Sequence, residues 1–298
     1  MEKSGSSKPL IRQGWLRAVL CFIGFLILSG ASLSFYFVVL HKGNPDAAGL
    51  ADLMNDNNLL PVTGIFFITA LLVCFVFRHW VDRKSFASIG LDINEHEGEA
   101  VAGLMLATFI VCASSLLLKW TGHLKWMDIL FDLKSLFLAF GTIALIAFYE
   151  EVIFRGYILS NLMESFSKWL ALVISVLLFM SFHWTARSSS GFFSLANLLI
   201  IGLILGLNFI YTRNLWFSIC FHIGWKFMEQ PVFGFSGNVS FQALLQPELK
   251  GDETFTGGSN GLEGSVIMMA ISLLSLVLLF LFLQKKLSPQ SLPVPNRI

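Results

Sequence analysis

Long apolar runs recur along this 298-residue chain and limit its possible folds more than any other feature. Eight windows approach or exceed the roughly 20 residues that a helix needs to cross a bilayer. These windows cover residues 17–40, 62–77, 100–118, 135–162, 168–184, 194–212, 214–231 and 265–283. The sequence therefore predicts an all-α polytopic membrane protein with about eight transmembrane helices.

The composition agrees with this prediction and excludes other classes of protein. Charged residues make up only 13% of the chain and hydrophobic residues 55%, whereas a soluble domain carries about 25% charged residues. The net charge of +1 supplies no basic surface for phosphate backbones. We therefore expect membrane lipids as partners and no nucleic acid.

The basic residues predict the orientation in the membrane. An even number of helices puts both termini on one side, and 13 of the 20 lysines and arginines fall on that side. Because basic residues concentrate in cytoplasmic connections, both termini are expected in the cytoplasm. The polar stretch 232–264 then lies on the other side, and its Thr256-Gly-Gly-Ser-Asn-Gly run predicts a flexible loop.

A first polar cluster interrupts the fourth apolar window, where Tyr149-Glu150-Glu151 precedes Arg155. At 100° per residue, Glu151 and Arg155 lie on one helical face and Glu150 points elsewhere. A desolvated carboxylate without a cationic partner holds a proton more tightly, as a general base near neutral pH must. The alternative is that both glutamates sit at a helix end and face water.

Two further clusters supply histidines, namely Phe179 with His183 and His222 with Lys226. With a rise of 1.5 Å per residue, Glu150 is expected roughly 18 Å and His183 roughly 24 Å above the same turn. By the same measure His222 lies about 12 Å and Lys226 about 18 Å from that side. The three clusters are therefore expected to converge. Taken singly, each histidine could be an interfacial residue, and Lys226 could extend to the interface or pair with Glu229.

These motifs resemble those of a known family. They are Glu150-Glu151-x-x-x-Arg155, Phe179-x-x-x-His183 and His222-x-x-x, in this order within residues 136–228. The pattern is similar to that of the CPBP (CAAX protease and bacteriocin-processing) intramembrane proteases, which include the type II CAAX prenyl endopeptidases and the bacterial Abi proteins. The resemblance implies an intramembrane endopeptidase, with a peptide or a membrane protein as substrate, in a bacterial inner membrane.

The resemblance also implies roles for individual residues. Glu150 and His183 would activate a water molecule, and His222 with Lys226 would stabilise the oxyanion. Glu151, Arg155 and Phe179 would support them. No cofactor is required, although Glu150, His183 and His222 could bind zinc with an open position. The interpretation favoured here is a water polarised without a metal.

One departure from the family leaves a second function open. The family commonly has Asn four residues after the second histidine, where this chain has Lys226. A lysine can stabilise negative charge, but it could also pair with Glu150 and weaken the base. The alternative is therefore a catalytically impaired immunity, scaffold or regulatory protein. A proton-coupled transporter is disfavoured because the sequence shows no repeated half.

The predicted organisation has three parts. Residues 1–134 hold the first three transmembrane helices, 135–231 form the protease core, and 232–298 hold a non-cytoplasmic loop, the last helix and a cytoplasmic tail.

Overall fold

A computed structural model describes residues 8–40, 56–184, 191–235 and 241–287. Within these ranges an apolar helix occupies each of the eight predicted windows. In chain order the helices are α1 (Gly14–Leu40), α2 (Asp56–Val76), α3 (Glu97–Trp120), α4 (Leu133–Glu151), α5 (Lys168–Trp184), α6 (Phe192–Thr212), α7 (Trp216–Phe227), the single turn α8 (Glu253–Thr256) and α9 (Val266–Leu287). Six of the spans are long and apolar enough to cross a membrane, while α5 and α7 are shorter. The predicted all-α membrane fold is confirmed.

Three helices continue as wider π-helical turns. These turns are Phe77–Val81 after α2, Val152–Leu159 after α4 and Met228–Val232 after α7. Every residue of Val152–Leu159 is buried, and the turn begins immediately after the paired glutamates. Such π-helical segments are frequent at functional sites, and this one directly follows the two buried glutamates.

The connection before α9 is not the flexible loop that was predicted from the sequence. Strand β2 (Leu245–Leu249) pairs antiparallel with β1 (Leu124–Ile129), with Leu124 opposite Leu249. A 3-10 helix over Gly258–Gly264 then follows α8. Since its residues 261–264 are buried, the prediction of a flexible loop over this glycine run is wrong. The two strands were not predicted from the sequence.

The glycines of this connection serve a tight fold rather than flexibility. Gly257 and Gly261 have φ angles of 84° and 60°, which glycine adopts without strain. A Cβ atom on Gly261 would lie 1.9 Å from the carbonyl oxygen of Phe235. The chain can therefore fold back on itself here only because these positions have no side chain.

Small residues also allow close packing between helices, at the contacts of α3 with α7 and of α5 with α6. A Cβ atom on Gly103 of α3 would lie 2.2 Å from the carbonyl oxygen of Phe217 in α7. A Cβ atom on Gly202 of α6 would lie 2.9 Å from the side-chain Cγ1 atom of Val176 in α5. Such contacts are typical of helices that associate in a membrane, where backbones approach closely at small residues.

The outer surface of the bundle is apolar. Large hydrophobic side chains are exposed on several helices, among them Ile27, Ile68, Phe109, Phe137 and Leu274. A soluble protein would not expose so much contiguous apolar area to water. With the helix lengths, this surface fits an integral membrane protein.

One end of the bundle is held by a buried polar network around Asp82. Its carboxylate accepts hydrogen bonds from Arg17, Arg78, Tyr157 and Asn161. The network joins α1 and the end of α2 to the helix that carries the paired glutamates. It therefore fixes the segment that follows the paired glutamates, which contains Tyr157 and Asn161, relative to α1 and α2.

Candidate active site

Glu150 and Glu151 end α4 in the protein interior. Their side chains are 3% and 0% exposed, respectively. The interpretation in which both glutamates face water is therefore wrong. The helix does not end at the surface, because the buried π-helical turn continues from Glu151.

Two imidazoles from other helices face Glu150. The Nε2 atom of His183, near the end of α5, lies 3.5 Å from Oε2 of Glu150. The Nε2 atom of His222, in α7, lies 3.9 Å from the same oxygen. Within the described residues, Oε2 accepts no hydrogen bond. Residues separated by 33 and 72 positions in the chain thus surround one carboxylate oxygen.

The opposite nitrogen of each imidazole is held by a hydrogen-bond acceptor. Nδ1 of His183 lies 3.0 Å from the carbonyl oxygen of Phe179. Nδ1 of His222 lies 3.1 Å from Oε1 of Glu151. Because a carbonyl or a carboxylate can only accept, both Nδ1 atoms donate. This orients both Nε2 atoms toward Glu150.

Arg155 completes the support of the site. Its guanidinium donates from Nη1 to Oε1 of Glu151 over 3.1 Å and from Nη2 to the carbonyl oxygen of Gly202 over 3.4 Å. The predicted pair of Glu151 with Arg155 is thus present. The guanidinium also lies 4.3 Å from the ring centroid of Phe179, and that ring packs at 4.4 Å against His183.

Sequence comparison places this cluster in a known family. Residues 132–228 match the family described as type II CAAX prenyl endopeptidase Rce1-like. The match covers about a third of the chain. The predicted resemblance is confirmed. Searches of curated proteins and of solved structures found no match to the chain.

The Rce1-like segment contains the whole cluster. It begins at the N-cap of α4 and ends just after α7, so it includes Glu150, His183 and His222 with their supporting residues. The chain is therefore an integral membrane protein that carries a segment of the CAAX-type intramembrane proteases.

The structure places Lys226 against two acidic residues, of which Glu229 was predicted as a possible partner and Glu263 was not. Its ammonium contacts Oε1 of Glu263 and lies 3.9 Å from Oε2 of Glu229. Glu150 is not among the described carboxylates within ion-pair distance. Pairing with Glu229 was one of the open alternatives and is observed here, whereas the oxyanion role of Lys226 stays a prediction.

The zinc alternative concerns the side chains of Glu150, His183 and His222. One glutamate and two histidines are suitable zinc ligands in type. However, the described residues contain no group of three such side chains placed to hold a metal ion.

Two contacts in the site were not foreseen. Tyr149 is buried beside Glu150 and interacts with its carboxylate, while its ring stacks on Phe66 at 6.0 Å. Glu151 holds His222 as well as Arg155. The first contact could have been suspected from the Tyr149-Glu150 adjacency. The second had no signal, since it depends on how α7 packs against α4.

Proposed function

We propose that the protein hydrolyses a peptide bond at or within the bilayer, with Glu150 as general base. A single observation carries this proposal, namely the buried Oε2 of Glu150 facing the Nε2 atoms of His183 and His222. A carboxylate in this environment has few competing partners. It is therefore suited to accept a proton from a water molecule during attack.

The reaction begins with a water held between Glu150 and His183. Glu150 takes one proton, the water oxygen bonds to the scissile carbonyl carbon, and the carbonyl oxygen becomes negatively charged. The bond from carbon to the amide nitrogen then breaks, and Glu150 returns the proton to the leaving amine. Water is thereby divided between the new carboxyl and amino ends.

In this proposal His222 stabilises the charged oxygen. A donor at Nε2 requires both ring nitrogens to carry protons, because Nδ1 already donates to Glu151. In an apolar interior, such a pre-oriented donor acts more strongly than it would in water.

Hydrolysis can be tested with the full chain purified in detergent. The substrate would be a library of lipophilic peptides, presented with and without a prenylated cysteine so that the same assay reports the substrate class. Glu150→Gln should lower kcat by about a hundredfold or more. The matched control is Glu97→Gln, which changes an exposed glutamate in the first turn of α3.

Two results would remove the base assignment. One is Glu150→Gln cleaving at the rate of the wild type. The other is equal loss in the Glu97→Gln control, which would indicate a general effect of neutralising glutamates.

We also propose that the water is activated without a metal. Elemental analysis of the purified protein should then find less than one zinc per chain, and activity should persist after treatment with a chelator. Stoichiometric zinc, together with activity that is lost on chelation and restored by zinc, would contradict this part of the proposal while leaving hydrolysis intact.

A non-catalytic regulatory or scaffold protein is the second candidate. Its support is Lys226, which stands where the family commonly has Asn and is engaged by Glu263. Activity that appears only in Lys226→Asn would favour this candidate.

The orientation proposal is that both termini lie in the cytoplasm of a bacterial cell. Its support is the excess of lysine and arginine on the side of the termini. Reporter fusions at residue 298 should be active only as cytoplasmic reporters, and activity of a periplasmic reporter there would contradict it.

A further inference from the structure

A second buried charge cluster lies beside the proposed active site. Its members are Lys226 in α7, Glu229 in the π-helical turn after α7, and Glu263 in the 3-10 helix before α9. The lysine side chain is only 16% exposed, and both glutamates are buried. Because a desolvated ammonium needs anionic partners, these carboxylates account for the burial of Lys226.

The fold of the Thr256–Gly264 connection places Glu263 at this point. The side-chain amide of Asn197 donates to the carbonyl oxygens of Glu263 and Ser265, at 2.7 and 3.3 Å. Asn197 is itself buried in α6. The glycine-dependent reversal described above brings this backbone against Phe235. Glu263 is thus a fixed anion rather than a mobile loop residue.

Lys226 lies on the same helix as His222, which faces the proposed base. It follows His222 by one helical turn, about 5.4 Å along the axis, and His222 lies 3.9 Å from Glu150. An ammonium that paired with Glu150 would stabilise its ionised form and weaken it as a base. In the structure the carboxylates that contact the ammonium of Lys226 are those of Glu263 and Glu229.

We propose that Glu263, assisted by Glu229, is a positioning residue that holds the ammonium of Lys226 away from Glu150. This inference rests on the proposed function, since it concerns the availability of Glu150 as a base. It assigns the buried glycine-rich connection a role in the reaction, although the connection contributes no group to the cluster around Glu150.

A set of variants tests this role kinetically. Glu229→Gln with Glu263→Gln should lower kcat on the order of tenfold or more and leave KM near the wild-type value, because the freed lysine opposes the base. Adding Lys226→Met should restore most of the lost kcat. Glu263→Gln alone, which keeps Glu229, is the milder variant should the double substitution fail to fold. It should show a smaller loss and the same rescue.

The rescue separates this role from two others. A purely structural role predicts that removing Lys226 as well gives no recovery, and that outcome would overturn the proposal. Loss of activity in Lys226→Met alone, by as much as in Glu150→Gln, would also overturn it, because Lys226 would then be a direct oxyanion donor.

Carbodiimide cross-linking tests the same proposal without activity. A membrane-permeant carbodiimide joins a carboxylate to an adjacent amine as an amide, and mass spectrometry identifies the joined peptides. The wild type should give the 226–263 link, and the variant lacking both glutamates should give a 226–150 link. A 226–150 link of equal yield in the wild type would overturn the proposal. If the wild type is inactive on all peptides, the proposed function fails, while the cross-links still decide where the ammonium lies.

Discussion

Nδ1 of His222 lies 3.1 Å from Oε1 of Glu151, so the second of two adjacent glutamates anchors the imidazole that faces the first. The two carboxylates end the same helix and are equally inaccessible to water, but they have different partners. Glu151 is shared by Arg155 and His222, whereas Glu150 faces two Nε2 atoms. Neighbouring glutamates thus acquire separate chemical roles from their environments.

Glu151→Gln tests this division. The variant should lower kcat by about 10- to 100-fold, as expected for loss of a residue that orients a functional imidazole, with little change in KM. It should also lower thermal stability, because the buried Arg155 loses its anionic partner. Steady-state kinetics and a melting curve in detergent measure the two effects.

The double variant Glu151→Gln with Arg155→Met is the control for that substitution. Removal of the unpaired cation should recover part of the stability without recovering kcat. Recovery of both would show that Glu151 acts only through Arg155.

Asp82→Asn should be strongly destabilising. This carboxylate is fully buried and joins Arg17 and Arg78, and breaking a buried ion pair on one side costs about 3–5 kcal/mol. Unfolding in mixed detergent measures the loss. The exposed Asp128→Asn serves as the control and should change stability by no more than about 0.5 kcal/mol; equal effects of the two variants would contradict the importance of the network.

Two glycines of α3 provide a matched pair for the packing of α3 against α7. Gly103→Ala should destabilise the protein by about 1–3 kcal/mol, because its Cβ would meet the backbone oxygen of Phe217. It should also reduce activity, since α7 carries His222. Gly98→Ala has nothing within 4 Å of the added atom and should be neutral or stabilising by up to about 1 kcal/mol. Melting temperatures of both variants decide this, and a neutral Gly103→Ala would contradict the close contact.

Glu164, in the turn before α5, is expected to make the stability of the protein depend on pH in the acid range. Burial disfavours its ionised form, but hydrogen bonds from Lys84 and Arg17 outweigh burial and hold its pKa below the ordinary value of 4.5. Because the unfolded chain then binds the proton more readily, this stabilisation is present above about pH 4.5 and is lost as the pH falls through the lower folded pKa. Melting temperatures measured between pH 7 and pH 3 should fall less steeply at the acid end in Glu164→Gln, and parallel curves would contradict this contribution.

The fold was predictable from the sequence because each membrane helix carries its own signal. A run of apolar residues satisfies its backbone internally and buries itself in lipid, so windows such as 100–118 and 194–212 mark their helices without knowledge of their neighbours. The connection at 232–264 was misjudged for the opposite reason. Its glycines allow either flexibility or tight reversal, and contacts such as that of Gly261 with Phe235 decide between them.

For the site, the sequence by itself determined which polar side chains interrupt the apolar helices and that Glu151 and Arg155 share a helical face, because helical geometry converts spacing into direction. Only the tertiary structure decided that His222 is held by Glu151 and that Lys226 is engaged by Glu263. Each of these contacts joins side chains from separate helices or connections, and their distances depend on how those elements pack rather than on any periodicity within one of them.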